Sequence, residues 1–303
     1  MIERRDISFA ADRGDILRGW IFEPAGRVTD APAVSLCHGF AGVKEHRLEQ
    51  FARAFAEAGL FALVHDHRNF GSSDGAVRGD IDPWQQIEDW RRALSFLEAT
   101  PGVDPKRIGI WGTSYSGGHA LVLAATDRRV KAVVSQVPTI SGFTAGRRRI
   151  NPDATTSLED AFDEDERAQS RGHAPTQHAV VTDDPAVMSA YRSKEAIDFY
   201  LQPLPEGAWR NEVTLRSTRR ARMYEPDAWI SRVSPVPLLM IVANADVITL
   251  TDLQLDAYER AHQPKKLLML NGGHFAAYGD EFPRASGAAV QWFKEQLAPR
   301  SSS

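Results

Sequence analysis

One cysteine, Cys37, stands among 303 residues. A lone thiol forms no intrachain disulfide, so packing and hydrogen bonding must hold the chain. The opening Met1-Ile2-Glu3-Arg4-Arg5-Asp6 lacks an apolar stretch, which with the cysteine count leads us to expect a cytoplasmic protein. No apolar run approaches the roughly 20 residues a membrane-spanning helix needs. No long basic block is present either. With 36 Lys and Arg against 40 Asp and Glu, the formal charge is -4, and nucleic acid is not an expected partner. No glycine-rich phosphate loop follows the first parallel strand, and His65 and His67 alternate on a strand end without further ligands to complete a zinc site. No metal or cofactor is expected. The expected partner is a small-molecule substrate, with a homodimer left open. Internal repeats and low-complexity tracts are missing, and the serines Ser301 to Ser303 read as a disordered end.

What is present is enough apolar material, 43% of residues, for one large core or two modest ones. Ile7–Ala10 and Ile16–Phe22 alternate as strands around the turn Asp12-Arg13-Gly14-Asp15. Strands at Ala33–Cys37, Phe61–Val64, Arg107–Trp111 and Val130–Val137 then alternate with helical patterns, including Leu48, Phe51, Ala52, Phe55 and Ala56 on one face and a second over Trp84–Leu97. Such alternation predicts an α/β fold with a mostly parallel central sheet and helices on both faces. It stops at Pro138. The polar stretch to Ser234 shows helix-like pieces such as Ala186–Leu201 and no clear strand, and is too long for a plain connection. The alternation resumes with Pro237–Val242, Leu253–Ala261, Lys265–Leu270 and Arg284–Leu297. The expected organisation is core over 1–137, an inserted helical cap over 138–234, and core again over 235–303.

Within Gly112-Thr113-Ser114-Tyr115-Ser116-Gly117-Gly118, a strand runs into a serine flanked two positions away by small residues. That pattern permits a sharp strand-to-helix turn that presents a hydroxyl. Ser116 is a rival nucleophile, but the turn should follow Trp111 directly, which puts Ser114 at the apex. A base is then needed at the C-terminal edge of the sheet, and His274 follows a strand in Asn271-Gly272-Gly273-His274. The orienting acid is expected at the preceding strand end, where Asp246 lies; Asp252 and Asp280 are rivals. Backbone amides of Phe40, in His38-Gly39-Phe40, and of Tyr115 are candidate oxyanion donors. His38 is assigned to shaping that loop. The polar run Asp66–Gly75 is read as structural, with Arg68 pairing with Asp66 or Asp74.

With Ser114, Asp246 and His274 in this chain order, and with Asp66-His67-Arg68-Asn69-Phe70-Gly71, the chain resembles the α/β-hydrolases over residues 31–137 and 235–297. It is similar to the polyketide-type and dienelactone-hydrolase-like subgroup, and Tyr115 after the serine is similar to the Xaa-Pro dipeptidyl-peptidase and cocaine-esterase relatives. Ser116 departs from the usual glycine. The resemblance implies a Ser-Asp-His triad and acyl transfer. An ester, thioester or lactone leads among substrates. Carbon–carbon hydrolysis of a diketone is an alternative, as is dipeptide release anchored by acids such as Asp160, Asp163 or Glu164. A ligand-binding receptor is the non-enzymatic alternative. Phe143, Tyr191, Trp209 and Trp229 are candidates for an acyl pocket, among cap aromatics that mostly pack the cap itself. The arginines Arg147–Arg149 and Arg216, Arg219, Arg220 and Arg222 read as solvated helix faces; binding a substrate carboxylate or phosphate is their alternative.

Overall fold

Parallel strands covered on both faces need apolar side chains at nearly every position, and the central strands of this chain are built that way. The computed structural model describes residues 2–26, 29–149 and 152–299; Ser301 to Ser303 lie outside the described residues. β1 (Glu3–Ala10) and β2 (Ile16–Glu23) form an antiparallel hairpin. β3 (Ala31–Cys37), α1 (Leu48–Glu57), β4 (Phe61–His65), α2 (Pro83–Glu98), β5 (Val103–Thr113), α3 (Tyr115–Thr126) and β6 (Val130–Gln136) follow in regular alternation. After an insertion come β10 (Leu238–Ala243), α8 (Thr251–Arg260), β11 (Lys265–Leu270) and α9 (Phe282–Gln296).

These strands make one eight-stranded sheet in the order β1-β2-β4-β3-β5-β6-β10-β11, parallel except for the pairings made by β2. Successive residues of a strand face opposite ways, so the sheet carries two cores. Ile108, Ile110, Val133, Met240 and Val242 pack with Trp90, Leu94 and Leu121 of α2 and α3. Val34, Leu36, Trp111, Val134 and Ile241 pack with Phe51, Phe55, Ala289 and Phe293 of α1 and α9. Each fully buried side chain of this size contributes about 2–3 kcal/mol. α3 is buried at almost every position, which a helix of Ala, Leu, Val and Gly tolerates.

The insertion differs from the helical cap expected from sequence. It holds α4 (Gly142–Arg149), α5 (Pro152–Ser170), α6 (Lys194–Tyr200) and α7 (Leu215–Met223). It also holds a three-stranded sheet of β7 (Gln177–Val181), β8 (Ser189–Tyr191) and β9 (Val213–Thr214), in the order β8-β7-β9. Strands of five, three and two residues are too short for alternation to register, because pairing partners rather than local pattern define them. The single helix expected over Ala186–Leu201 is divided. Ser193 caps α6 by accepting from the Ala196 amide, and β8 precedes it.

Candidate active site

The β5–α3 turn places Ser114 at a backbone φ of 56° and ψ of -117°, a conformation L-residues seldom adopt. Surrounding bonds impose it: the Ser114 amide donates to the Gln136 carbonyl at 2.8 Å, and Thr139 donates to the Ser114 carbonyl at 2.9 Å. The turn is so tight that a Cβ on Gly112 would lie 2.0 Å from the Ser116 carbonyl oxygen. Only glycine fits there. Serine is accepted at 116 because its hydroxyl has a partner, lying 3.0 Å from His67 Nε2 in a fully buried position.

Ser114, Asp246 and His274 come together from three separate strand ends. His274 Nε2 lies 2.9 Å from Ser114 Oγ, and His274 Nδ1 lies 2.8 Å from Asp246 Oδ2. His274 and Asp246 are buried, while Ser114 keeps partial exposure. A substrate therefore reaches the hydroxyl but not the acid. Asp246 accepts from the Ile248 amide at 2.8 Å, the Thr249 amide at 2.9 Å, Thr249 Oγ1 at 2.7 Å and Gln254 Nε2 at 3.1 Å. Burial alone would raise its pKa, but the His274 charge, with donors from His274 and Thr249, holds the carboxyl well below the usual range. Thr249 and Gln254 were not identified from sequence; nothing in their spacing distinguishes them from an ordinary loop and helix start.

The oxyanion candidates border the same serine. Gly39 approaches so closely that a Cβ there would lie 2.8 Å from Ser114 Cβ. Among the described residues, neither the Phe40 nor the Tyr115 amide has an intramolecular acceptor. The loop is braced from the insertion: Tyr200 Oη donates to the Phe40 carbonyl at 2.5 Å and Trp209 Nε1 to the Ala41 carbonyl at 2.7 Å. Glu195, on α6, accepts from the backbone amides of His274 and Phe275, and burial pushes its carboxyl up. His38 takes part in loop shaping, with Nδ1 3.0 Å from the Gly39 carbonyl and Nε2 accepting from the His67 amide at 3.4 Å.

A narrow cleft of about 30 Å³ adjoins these groups, lined by Phe40, Tyr115, Ile140, Tyr191, Arg149 and Thr249 among others. Of the expected pocket aromatics, only Tyr191 reaches it. Phe143 is 57% exposed under the Arg147 guanidinium, because its position on α4 points to solvent. Trp209 is drawn away by its bond to Ala41, and Trp229 packs beneath Arg232. Arg68 also differs from expectation. It forks onto the inward-facing Asp89 at 2.7 and 3.0 Å and pairs with Asp15, while Asp66 is held by Lys44 and Asp74 by Arg18. Asp252 is exposed and paired with Arg148, and Asp280 is exposed.

Cys37 joins His65 and His67 to give three ligating atoms within 4.8 Å of one another, a proximity across β3 and β4 that sequence spacing did not reveal. Burial pushes the thiol up and His65 down to about 3, so the trio suits its dry surroundings in neutral form.

A strained serine between a parallel strand and a buried helix, facing a histidine carried by a later strand end, defines the α/β-hydrolase class. Residues 18–276 match the family described as X-Pro dipeptidyl-peptidase (S15 family), and the chain belongs to that family of hydrolases. It is 31% identical to the quorum-quenching protein AidA of Acinetobacter baumannii, over 95% of this chain and 94% of that protein. A thiohydrolase of Eupenicillium brefeldianum is 31% identical, over 89% of this chain and 87% of its own. The crystal structure of the α/β-hydrolase GrgF from Penicillium sp. sh18 superposes with a TM-score of 0.84 at 26% identity, covering 98% of this chain and all of that one. No helix among the described residues is long and apolar enough to cross a membrane.

Proposed function

We propose that the protein is a serine hydrolase that cleaves a carboxylic ester, thioester or lactone through an acyl-enzyme. The observation that carries this reading is the pair of contacts on one imidazole, 2.9 Å to Ser114 Oγ and 2.8 Å to Asp246 Oδ2. Ser114 attacks the carbonyl carbon as its proton passes to His274 Nε2. His274 keeps its Nδ1 proton, which Asp246 accepts as a hydrogen bond, and the carboxylate stabilises the imidazolium. The carbonyl oxygen becomes an oxyanion that accepts from the Phe40 and Tyr115 amides, each such donor being worth about 10²–10³ in rate. His274 then protonates the leaving alcohol or thiol. Water attacks the acyl-enzyme, gives its proton to His274, and frees the acid and Ser114.

The relative named a thiohydrolase supports keeping thioesters in the substrate class. Dipeptide release finds less support in the residues proposed to anchor an ammonium group. Asp163 and Glu164 are exposed and already paired with Arg219 and with Arg167 and Arg171, and Asp160 is exposed.

A fluorophosphonate probe tests the nucleophile. The wild-type protein and Ser116→Ala are expected to label, and Ser114→Ala is not. Labelling that survives Ser114→Ala would overturn the assignment. Hydrolysis of matched ester, thioester, lactone, diketone and Xaa-Pro amide substrates then selects the bond cleaved.

A further inference from the structure

The cleft beside Ser114 has walls of mixed polarity and a cation at one border. Ile140, Ala145, Ala221 and Ile248 line it together with the rings of Phe40, Tyr115 and Tyr191, and Arg149 is its charged member. Most other arginines of this region are committed to acids: Arg148 to Asp252, Arg216 and Arg220 to Asp80, Arg219 to Asp163 and Arg222 to Glu159; Arg147 lies over the exposed Phe143 ring, away from the cleft. Arg149 has no carboxylate partner among the described residues. Its Nε donates to the Ala145 carbonyl at 3.3 Å, its guanidinium carbon lies 5.4 Å from the Tyr191 ring centroid, and the guanidinium donates a hydrogen bond to the hydroxyl of the half-buried Tyr191. The neighbouring acid, Asp246, is sequestered by His274, Thr249 and Gln254 and offers nothing to Arg149. A second group points to a missing ligand. The Tyr115 hydroxyl is buried, belongs to a residue lining the cleft, and has no hydrogen-bond partner among the described residues.

A cleft of mixed polarity, holding a guanidinium without a carboxylate partner and a phenol without a hydrogen-bond partner among the described residues, suits a substrate with an anionic group away from the reacting carbonyl. We propose that Arg149 selects substrates bearing a carboxylate remote from the scissile bond. This rests on the hydrolase reading above and specifies the substrate class of the same site. The carboxylate could belong to the acyl portion or to the leaving group; the chemistry toward Arg149 is the same.

Two substrate pairs separate those sources. For the acyl side, kcat/KM for 4-nitrophenyl hydrogen adipate is compared with that for 4-nitrophenyl hexanoate. For the leaving-group side, 3-carboxyphenyl hexanoate is compared with 3-carbamoylphenyl hexanoate. One pair is expected to show an anionic-to-neutral ratio above unity that falls about tenfold in Arg149→Met and largely returns in Arg149→Lys, a modest factor because the guanidinium is partly solvated. Arg148→Met, which removes a surface cation of the same helix, is expected to keep the wild-type ratio. Ratios unchanged by Arg149→Met in both pairs, or lowered equally by Arg148→Met, would overturn the proposal. Calorimetric binding of adipate against hexanoate to the Ser114→Ala protein reads the selection without turnover. Preference for adipate that Arg149→Met abolishes supports the proposal even if no ester is cleaved, and absence of any preference in both the binding and kinetic arms counts against it.

Discussion

Two serine–histidine pairs lie side by side at the end of β5. Ser114 is 2.9 Å from His274 Nε2, and Ser116 is 3.0 Å from His67 Nε2. The distances are nearly equal; the surroundings are not. His274 has Asp246 on its other nitrogen, whereas His67 Nδ1 is buried with no partner among the described residues. Burial and the nearby His38, His65 and His119 push His67 well below its ordinary pKa. An imidazole in that setting cannot readily take up a proton, since no anion repays the charge placed in a low-dielectric site. Ser114 is also partly exposed, while Ser116 is fully buried. Proximity alone thus makes a hydrogen bond. The proposed catalytic pair needs an acid behind the base and an opening in front of the hydroxyl.

The largest expected effect comes from removing the two histidines in turn. His274→Ala is expected to lower kcat by at least about 10⁴-fold with little change in unfolding midpoint. His67→Ala is expected to cost about 2–3 kcal/mol of stability through the cavity and the orphaned Ser116 hydroxyl, with activity per folded molecule falling less than tenfold. Steady-state kinetics and denaturant unfolding on both variants measure the contrast; equal losses of activity would erase it. Asp246→Asn comes next. It keeps the shape but removes the anion and disturbs the tautomer, so kcat is expected to drop about 10⁴-fold or somewhat less.

A smaller effect follows from the buried histidines and appears as pH dependence of stability. His65 and His119 are pushed by burial down to about 3, and His67 is lowered as well. In the unfolded chain each titrates at about 6.5. Between about pH 6.5 and pH 3 the unfolded chain therefore binds more protons than the native one, and stability falls as pH falls through that window. His65 and His119 are each expected to cost about 1.5 kcal/mol between pH 6.5 and 5, with His67 acting in the same direction. Urea unfolding at the two pH values checks the sum, and replacement of His119 by an apolar residue should flatten the slope. Stability independent of pH in this range would mean that these side chains are not held neutral.

Much of this arrangement was legible because it is written in long, regular signals. The apolar runs Val130–Val137 and Pro237–Val242 read as strands and fold as Val130–Gln136 and Leu238–Ala243, and the small residues around Ser114 read as a sharp turn. Ser114, Asp246 and His274 each follow such a strand, so topology brings them to one edge of the sheet. The insertion was less legible. Its strands are short and defined by partners distant in sequence, as Gln177 pairs with Thr214. Aromatic identity likewise did not tell which side chain enters the cleft: Phe143 and Tyr191 are equally attractive by composition, and only the direction of their elements separates them. Arg149 reads as one cation in a run of three, and that it has no acid partner among the described residues is visible only once its neighbours' pairings are known.

The central claim is that the Ser114 hydroxyl, rather than Ser116 or an activated water, attacks the substrate. Mixing the protein with an excess of a 4-nitrophenyl ester, quenching within milliseconds and mapping the adduct by mass spectrometry tests it most directly. The account predicts a nitrophenolate burst approaching one per chain, with the acyl mass on Ser114. Turnover with the acyl group on Ser116, or with no acylated protein detectable at any quench time in a reaction whose deacylation has been slowed, would contradict it.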